Sequence, residues 1–116
     1  MKTILVVDDD DAIRMLIEME LQEEGYRVLT ASNAQDALKL VETEPLDLVI
    51  LDIRMPGMDG LEALPRMLGI KEGLKVILNT AYSQYQDSFM SWAADAYLIK
   101  SADLTELKNK VKELLT

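Results

Sequence analysis

The sequence ILVVDDDD at residues 4–11 joins four apolar residues to four aspartates. A short Val/Ile/Leu run of this kind is typical of a strand that helices cover on both faces. A second such run, at residues 48–51, ends at Asp52. Two buried strands that both end at aspartates predict a parallel sheet with an acidic carboxyl edge.

Three further β-rich runs continue the pattern along the chain, at residues 28–31, 76–78 and 97–99. Apolar residues at helical spacing lie between successive runs and after the last one. Strict alternation of this kind predicts an α/β fold: a doubly wound, five-stranded parallel sheet with helices on both faces. The sequence contains no repeat or linker, so residues 1–116 are expected to form a single domain.

Capping residues indicate where several helices begin. Ser32 and Gln35 form a predicted capping box before the second helix, and Asp103 with Glu106 is placed to begin the last one. Pro65 falls inside the third helical segment. Because proline removes a backbone hydrogen bond, a kink or a shortened helix is expected there.

Composition excludes several kinds of chemistry. The 116 residues include 12 basic and 21 acidic side chains, a formal charge of −9, and neither cysteine nor histidine. Disulfides, thiolate nucleophiles, Ser-His-Asp triads and histidine zinc sites are therefore excluded. The acidic balance argues against direct binding of nucleic acid or of an anionic membrane surface. No export signal or membrane-spanning run is visible, so a cytoplasmic protein is expected.

Polar residues follow four of the predicted strands: Asp8 and Asp9, Asp52, Thr80, and Lys100. In such sheets ligands bind beyond the carboxyl ends of the strands, where the strand order reverses. Clustered carboxylates repel one another unless a cation neutralises them, and oxygen-only ligands favour Mg²⁺. A lysine and a hydroxyl suit phosphate oxygens, and a carboxylate can itself accept a phosphoryl group. The set as a whole is sufficient for phosphoryl transfer.

Simpler interpretations exist for each residue alone. Asp10 and Asp11 favour a helix N-cap and a partner of the helix dipole over metal ligands. A calcium-binding EF-hand loop starting at Asp52 is excluded, because its third and twelfth positions are Arg54 and Ala63. The sequence also lacks the glycine-rich motifs of nucleotide-binding loops. The joint occurrence at four strand ends is what favours a functional site.

Four motifs in this order resemble the response-regulator receiver domains of bacterial two-component and phosphorelay signalling. They are ILVVDDD at 4–10, LDIRMPGMDG at 51–60, NTA at 79–81 and YLIK at 97–100. The resemblance covers essentially the whole chain. It implies a flavodoxin-like sheet with strand order 2-1-3-4-5.

The resemblance also assigns an acceptor and a metal site. Asp52 matches the phosphoacceptor, which takes its phosphoryl group from a partner's phosphohistidine. Asp9 and Asp52 match direct Mg²⁺ ligands, Asp8 binds more through water, and the backbone carbonyl of Arg54 is the third protein ligand.

Three more residues match the family's phosphate and switch positions. Lys100 is expected to hold a phosphoryl oxygen, and Thr80 is the switch hydroxyl that moves toward the phosphate. Tyr97 occupies the position of the switch aromatic; a half-buried aromatic with no switching role is the alternative.

The function implied is a signalling switch and not an enzyme, with only autocatalytic phosphoryl transfer and self-dephosphorylation expected. Its partners would be a sensor histidine kinase or a histidine phosphotransfer protein, and a downstream protein or output domain. The face made by the fourth helix, fifth strand and fifth helix would change on phosphorylation. The chain is expected to be a monomer or a phosphorylation-dependent dimer. The chain contains no histidine, which agrees with a domain that receives its phosphoryl group from a histidine of a partner.

Two departures from the family pattern leave alternatives open. Ser101 follows Lys100 where the family usually has a proline after a cis peptide bond, so a trans bond with Lys100 placed differently is an alternative. The segment at residues 83–94 is slightly short for the family's fourth helix. Its Trp92 is predicted to lie in the core, whereas an exposed Trp92 would mark a partner surface.

Two rival functions remain: a receiver-like binding module without phosphate turnover, and an aspartate-nucleophile phosphatase.

Overall fold

Five parallel strands form one sheet in the computed structural model, which describes the backbone of residues 1–116 and every side chain except that of Phe89. The strand order is β2-β1-β3-β4-β5, so the predicted order 2-1-3-4-5 is confirmed. The strands are β1 (Thr3–Val7), β2 (Arg27–Ala31), β3 (Leu48–Leu51), β4 (Lys75–Thr80) and β5 (Ala96–Ile99).

Helices cover both faces of this sheet. They are α1 (Asp11–Glu23), α2 (Ala34–Thr43), α3 (Gly60–Ile70) and α4 (Thr105–Leu115). Successive strand residues point to opposite faces, so β1 divides its side chains between two cores. Leu5 and Val7 pack with α2 and α3, whereas Ile4 and Val6 pack with α1 and α4. The sheet is therefore doubly wound, as predicted. No helix among the described residues is both long enough and apolar enough to cross a membrane.

The connection between β4 and β5 differs from the prediction of a fourth α-helix over residues 83–94. It consists of turns and a 3₁₀ helix, Phe89–Ala93. Ser91 competes for the backbone here, as short polar side chains do, because its hydroxyl donates to the carbonyl of Tyr85 at 2.7 Å. Trp92 is 72% exposed, so its predicted core position is wrong.

Two predicted helix starts are displaced by one residue. Asn33, not Ser32, caps α2, because its side-chain oxygen accepts from the backbone N–H of Asp36 at 2.8 Å. Asp103 accepts from the N–H of Thr105 at 3.0 Å, and α4 starts at Thr105, after a cap residue whose side chain makes no capping bond.

Pro65 does not shorten α3, which continues to Ile70. Of the two expected effects, a kink or a shortened helix, the shortened helix is not observed. Proline removes one hydrogen bond from the helix, but Ala63, Leu64 and Met67 of the same helix are completely buried. Their packing against the sheet holds the helix together across the missing bond.

Candidate functional site

Three aspartates meet at the carboxyl edge of the sheet, beyond β1 and β3. Asp8 and Asp52 are 2% and 3% exposed, whereas Asp9 is exposed. Each offers a carboxylate oxygen, and these oxygens lie within 4.8 Å of one another. The backbone fixes the two buried residues, because the N–H of Asp8 donates to Ala31 and that of Asp52 donates to Val7. The predicted convergence of the three aspartates is present.

Lys100 joins the two buried carboxylates. Its ammonium nitrogen lies 2.8 Å from Asp8 Oδ2 and 2.9 Å from Asp52 Oδ2. Its backbone N–H donates to the carbonyl of Thr80 at 2.8 Å. Every described peptide bond is trans, including the one before Ser101. The trans bond is thus the conformation observed, and Lys100 still reaches both carboxylates.

Burial and charge oppose each other in this cluster. Burial raises the pKa of Asp52, and the nearby charge of Asp8 raises it further, whereas hydrogen bonding to Lys100 acts in the opposite direction. Burial acts to lower the pKa of Lys100, but the hydrogen bonds from its ammonium to Asp52 and Asp8 outweigh that effect and raise it. Lys100 is therefore charged at neutral pH, and one ammonium faces two carboxylates.

The start of α1 is part of the same site. The backbone N–H of Asp10 donates to Asp8 Oδ1 at 2.8 Å. Asp10 caps α1 as predicted, since its side chain accepts from the N–H groups of Ala12 and Ile13. Arg14 donates to the backbone carbonyl of Asp8 at 2.7 Å. Nothing in the sequence singled out Arg14, because an arginine in an acidic helical turn is common on protein surfaces.

The loop after Asp52 places α3 against the acceptor. Asp59 caps α3 by accepting from the N–H of Glu62 at 2.9 Å. The N–H of Gly60 donates to the carbonyl of Ile53 at 2.7 Å. A Cβ at Gly60 would collide with the backbone of Asp52 and Ile53. The last glycine of the PGMDG motif is therefore required because the backbone beside the acceptor leaves no room for a side chain. The spacing of the motif in the sequence does not reveal this requirement.

We predict that Gly60→Ala lowers the free energy of unfolding by about 1–3 kcal/mol, because the added methyl group is forced against backbone that cannot move freely. Gly69→Ala is the matched control, since it lies in the same helix with nothing within 4 Å of its added Cβ. That variant should be stabilised by up to about 1 kcal/mol through helix propensity. Urea denaturation measures both changes, and equal effects would contradict the close contact at Gly60.

Thr80 lies at the end of β4 and is buried. Its hydroxyl accepts from the backbone N–H of Tyr82 at 3.4 Å. The hydroxyl of Tyr97 donates to the carbonyl of the same Tyr82. Burial raises the pKa of Tyr97. The backbone of Tyr82 is therefore hydrogen-bonded to both Thr80 and Tyr97, the two residues that match the family's switch positions.

The side chain of Arg54 forms an aromatic clamp with Tyr82 and Tyr85. The guanidinium carbon lies 5.2 Å from the centroid of the Tyr82 ring, and a guanidinium nitrogen donates to the Tyr85 hydroxyl at 3.1 Å. The two rings meet edge to face, with centroids 6.4 Å apart. The family motif assigns a role only to the backbone carbonyl of Arg54, not to its side chain. The clamp ties the loop after β3 to the connection after β4.

We predict that Arg54→Ala loosens residues 82–88, because it removes the cation–π contact and the hydrogen bond together. Amide hydrogen exchange in that segment should become faster, while exchange in β1 and β3 stays unchanged. Arg66→Ala is the control, since the guanidinium of Arg66 makes only an exposed, 3.8 Å ion pair with Glu62. Unchanged exchange in residues 82–88 of Arg54→Ala would show that the clamp does not restrain the segment.

Comparison with known proteins places this geometry in context. The sequence profile of the response regulator receiver domain matches residues 4–112. Sporulation initiation phosphotransferase F of Bacillus subtilis is 41% identical in an alignment of 115 positions that covers 97% of this chain and 92% of that protein. The alkaline phosphatase synthesis transcriptional regulatory protein PhoP of the same species is 36% identical over 98% of this chain. The chain spans 48% of PhoP.

Solved structures give the same result. The response regulator TrrA of Thermotoga maritima, in complex with Mg²⁺ and BeF, is 54% identical with a TM-score of 0.96, over 99% of this chain and 100% of that one. A chain from the structure of histidine kinase ThkA in complex with TrrA is 53% identical with a TM-score of 0.93. The match covers 100% of this chain and 100% of that one.

Proposed function

This chain belongs to the response regulator receiver domain family, and we propose that residues 1–116 act as one phosphoacceptor switch. Asp52 takes a phosphoryl group from a histidine of a sensor kinase or a histidine phosphotransfer protein. The observation that carries the proposal is the joining of Asp8 and Asp52 by one lysine, with the exposed Asp9 beside them. We expect no catalysis beyond the chain's own phosphoryl transfer and self-dephosphorylation.

The donor set is suited to Mg²⁺, because three carboxylates offer oxygens within 4.8 Å of one another. In our proposal Asp9 and Asp52 are direct ligands, Asp8 acts through water, and the backbone carbonyl of Arg54 completes the protein ligands. When bound, Mg²⁺ neutralises negative charge on the acceptor and on the incoming phosphate. The related TrrA structure, which contains Mg²⁺ and BeF, supports this assignment.

The transfer itself needs little from the protein besides position and charge. An oxygen of Asp52 forms the new P–O bond while the P–N bond to the partner's histidine breaks, and the leaving imidazole keeps the electron pair. Lys100 already contacts Asp52 at 2.9 Å, so its ammonium can follow the charge onto a phosphoryl oxygen. The chain contains no histidine, which leaves the donor to the partner.

Switching follows from the residues around Thr80. A phosphoryl group on Asp52 attracts the Thr80 hydroxyl, which in this structure accepts from Tyr82. Tyr97 is bonded to the same Tyr82, so a shift at Thr80 reaches β5 through one residue. The surface of residues 83–94, β5 and α4 then changes toward a downstream protein or output domain, with the chain as a monomer or as a phosphorylation-dependent dimer.

Trp92 provides the test, because it is the sole tryptophan of the sequence and is exposed on the surface expected to change. Adding beryllofluoride with Mg²⁺ should shift its fluorescence, and neither addition alone should do so. Asp52→Asn is the control and should not respond. An unresponsive wild-type chain would argue for a receiver-like module that works without phosphate.

A further inference from the structure

An open cleft of about 450 Å³ lies between β5 and α4, away from the acceptor site. Leu98, Leu104 and Leu107 contribute apolar groups to its lining, and Asn79 contributes a polar one. Asn79 is 5% exposed and lies opposite Leu98 in the β4–β5 pairing. The side-chain amide of Asn79 therefore lies beside leucine side chains in the cleft.

The side-chain amide of Asn79 makes no hydrogen bond within the described part of the chain. No fully enclosed side-chain nitrogen or oxygen there lacks a partner, so the amide opens into the cleft that it lines. An amide carries an acceptor and two donors, and in the open cleft these groups are accessible to solvent or to a ligand. A ligand with polar hydrogens would satisfy its oxygen.

The charged residues at the rim of the cleft determine whether it favours a cationic or an anionic ligand. Asp103, Glu106 and Glu113 line the cleft together with a single lysine, Lys110. Lys110 is already paired, since its ammonium lies 3.0 Å from Glu113. Asp103 accepts hydrogen bonds from Thr105. Glu106 is left without a basic partner within the described lining, so the rim favours a cation.

We propose that this cleft binds an arginine side chain from a basic segment of the output partner. A guanidinium has five N–H donors in a planar fork, so it can donate to Asn79 and to a rim carboxylate together. Its aliphatic stem suits the leucines that line the cleft. The inference rests on the proposed function, because it assigns a ligand to the surface that should change on phosphorylation.

Asn79 also connects the cleft to the switch. It precedes Thr80 in β4, and the carbonyl of Thr80 accepts from the N–H of Lys100. Because Asn79 and Thr80 share a peptide bond, a shift of the Thr80 backbone toward Asp52 repositions the amide in the cleft. The affinity for arginine therefore differs between the phosphorylated and unphosphorylated states.

The test is a titration of ¹⁵N-labelled protein with an end-blocked glycine-arginine-glycine peptide, followed by NMR. The side-chain NH₂ signal of Asn79 and the backbone signals of β5 and the start of α4 should shift and saturate. The same peptide with glutamate in place of arginine should leave them unchanged. Equal shifts with both peptides, or no shift at Asn79, would overturn the proposal.

Two variants sharpen this result. Asn79→Ala should weaken binding of the arginine peptide about 10-fold or more, as expected for a lost hydrogen bond to a charged group. Gln22→Ala, which removes an exposed amide on α1 away from the cleft, should bind like wild type. Glu106→Gln should weaken binding about 2- to 5-fold through lost rim charge without altering the core. Wild-type affinity in both Asn79→Ala and Glu106→Gln would refute the site.

Adding Mg²⁺ and beryllofluoride to the same sample separates this inference from the proposed function. A response at Asp52 and Thr80 without peptide binding would refute only the arginine site. Peptide binding without that response would refute only the phosphoacceptor switch. A peptide affinity that changes with beryllofluoride would support their coupling, whereas an unchanged affinity would refute it.

Discussion

Asp52→Asn should reduce phosphorylation by acetyl phosphate, or by a partner kinase, to background. An amide oxygen is a far weaker nucleophile than a carboxylate, and the neutral side chain also weakens Mg²⁺ binding. Phosphoprotein gels and intact-mass spectrometry measure the loss directly. Asp87→Asn, which changes an exposed aspartate away from the acidic cluster, should be phosphorylated like wild type. Retained phosphorylation of Asp52→Asn at the same site would remove Asp52 as acceptor.

The same variant should fold and melt at a slightly higher temperature than wild type at neutral pH without Mg²⁺. The raised pKa of Asp52 means that the folded state disfavours its charged form. A group with a raised folded pKa contributes stability below its unfolded pKa and loses that contribution as pH rises through the folded value. The advantage of the asparagine should therefore grow as the pH rises from the unfolded value of about 4 through the raised folded pKa. A marked drop in Tm at neutral pH would contradict this account.

Lys100→Met should cause the largest loss of stability, about 3–5 kcal/mol, because it leaves two buried carboxylates facing each other without a cation. For a domain of this size that corresponds to a fall in Tm of about 10–20 °C. Thermal unfolding followed by circular dichroism measures the change. Lys108→Met is the matched control: its ammonium pairs with Glu20 near the surface, so little change in Tm is expected.

Adding Mg²⁺ should show whether charge repulsion or lost packing causes the loss of stability in Lys100→Met. If Asp8 and Asp52 repel each other in Lys100→Met, Mg²⁺ should restore more stability to this variant than to wild type, because the ion replaces the missing positive charge. The double variant Asp52→Asn/Lys100→Met should also melt well above Lys100→Met alone, since a single buried carboxylate remains. Equal Tm values for the two variants would show that packing of the lysine stem, and not charge, causes the loss.

The sheet and the acidic edge could be predicted because both depend on local patterns. A strand that is covered on both faces must be apolar throughout, so residues 4–7 and 48–51 stand out in the sequence. Parallel pairing then brings the residues after each strand to one edge, which places Asp8, Asp52 and Lys100 together. Helix starts were less predictable, because Ser32 and Asn33 are both good caps and the backbone decides between them.

Features that depend on three-dimensional contact were not predictable from spacing. The aromatic clamp joins residues 31 positions apart, and Arg14 reaches back to the carbonyl of Asp8. The absence of a fourth α-helix reflects competition between weak helix propensity and local turn bonds such as that of Ser91. The apolar character of Trp92 predicts a core position, but apolar character does not determine exposure where the expected helix does not form.

The hydrogen bonds at the start of α1 determine how this domain can tolerate changes in chain length. Asp8 holds the N–H of Asp10, and Asp10 in turn caps α1, so an insertion or deletion between them would displace a carboxylate and a helix together. The connection over residues 81–88 carries turns instead of a helix or strand. An insertion after β4 should therefore lower the free energy of unfolding less than an insertion after β1, provided that Tyr82 and Tyr85 keep their contacts with Arg54.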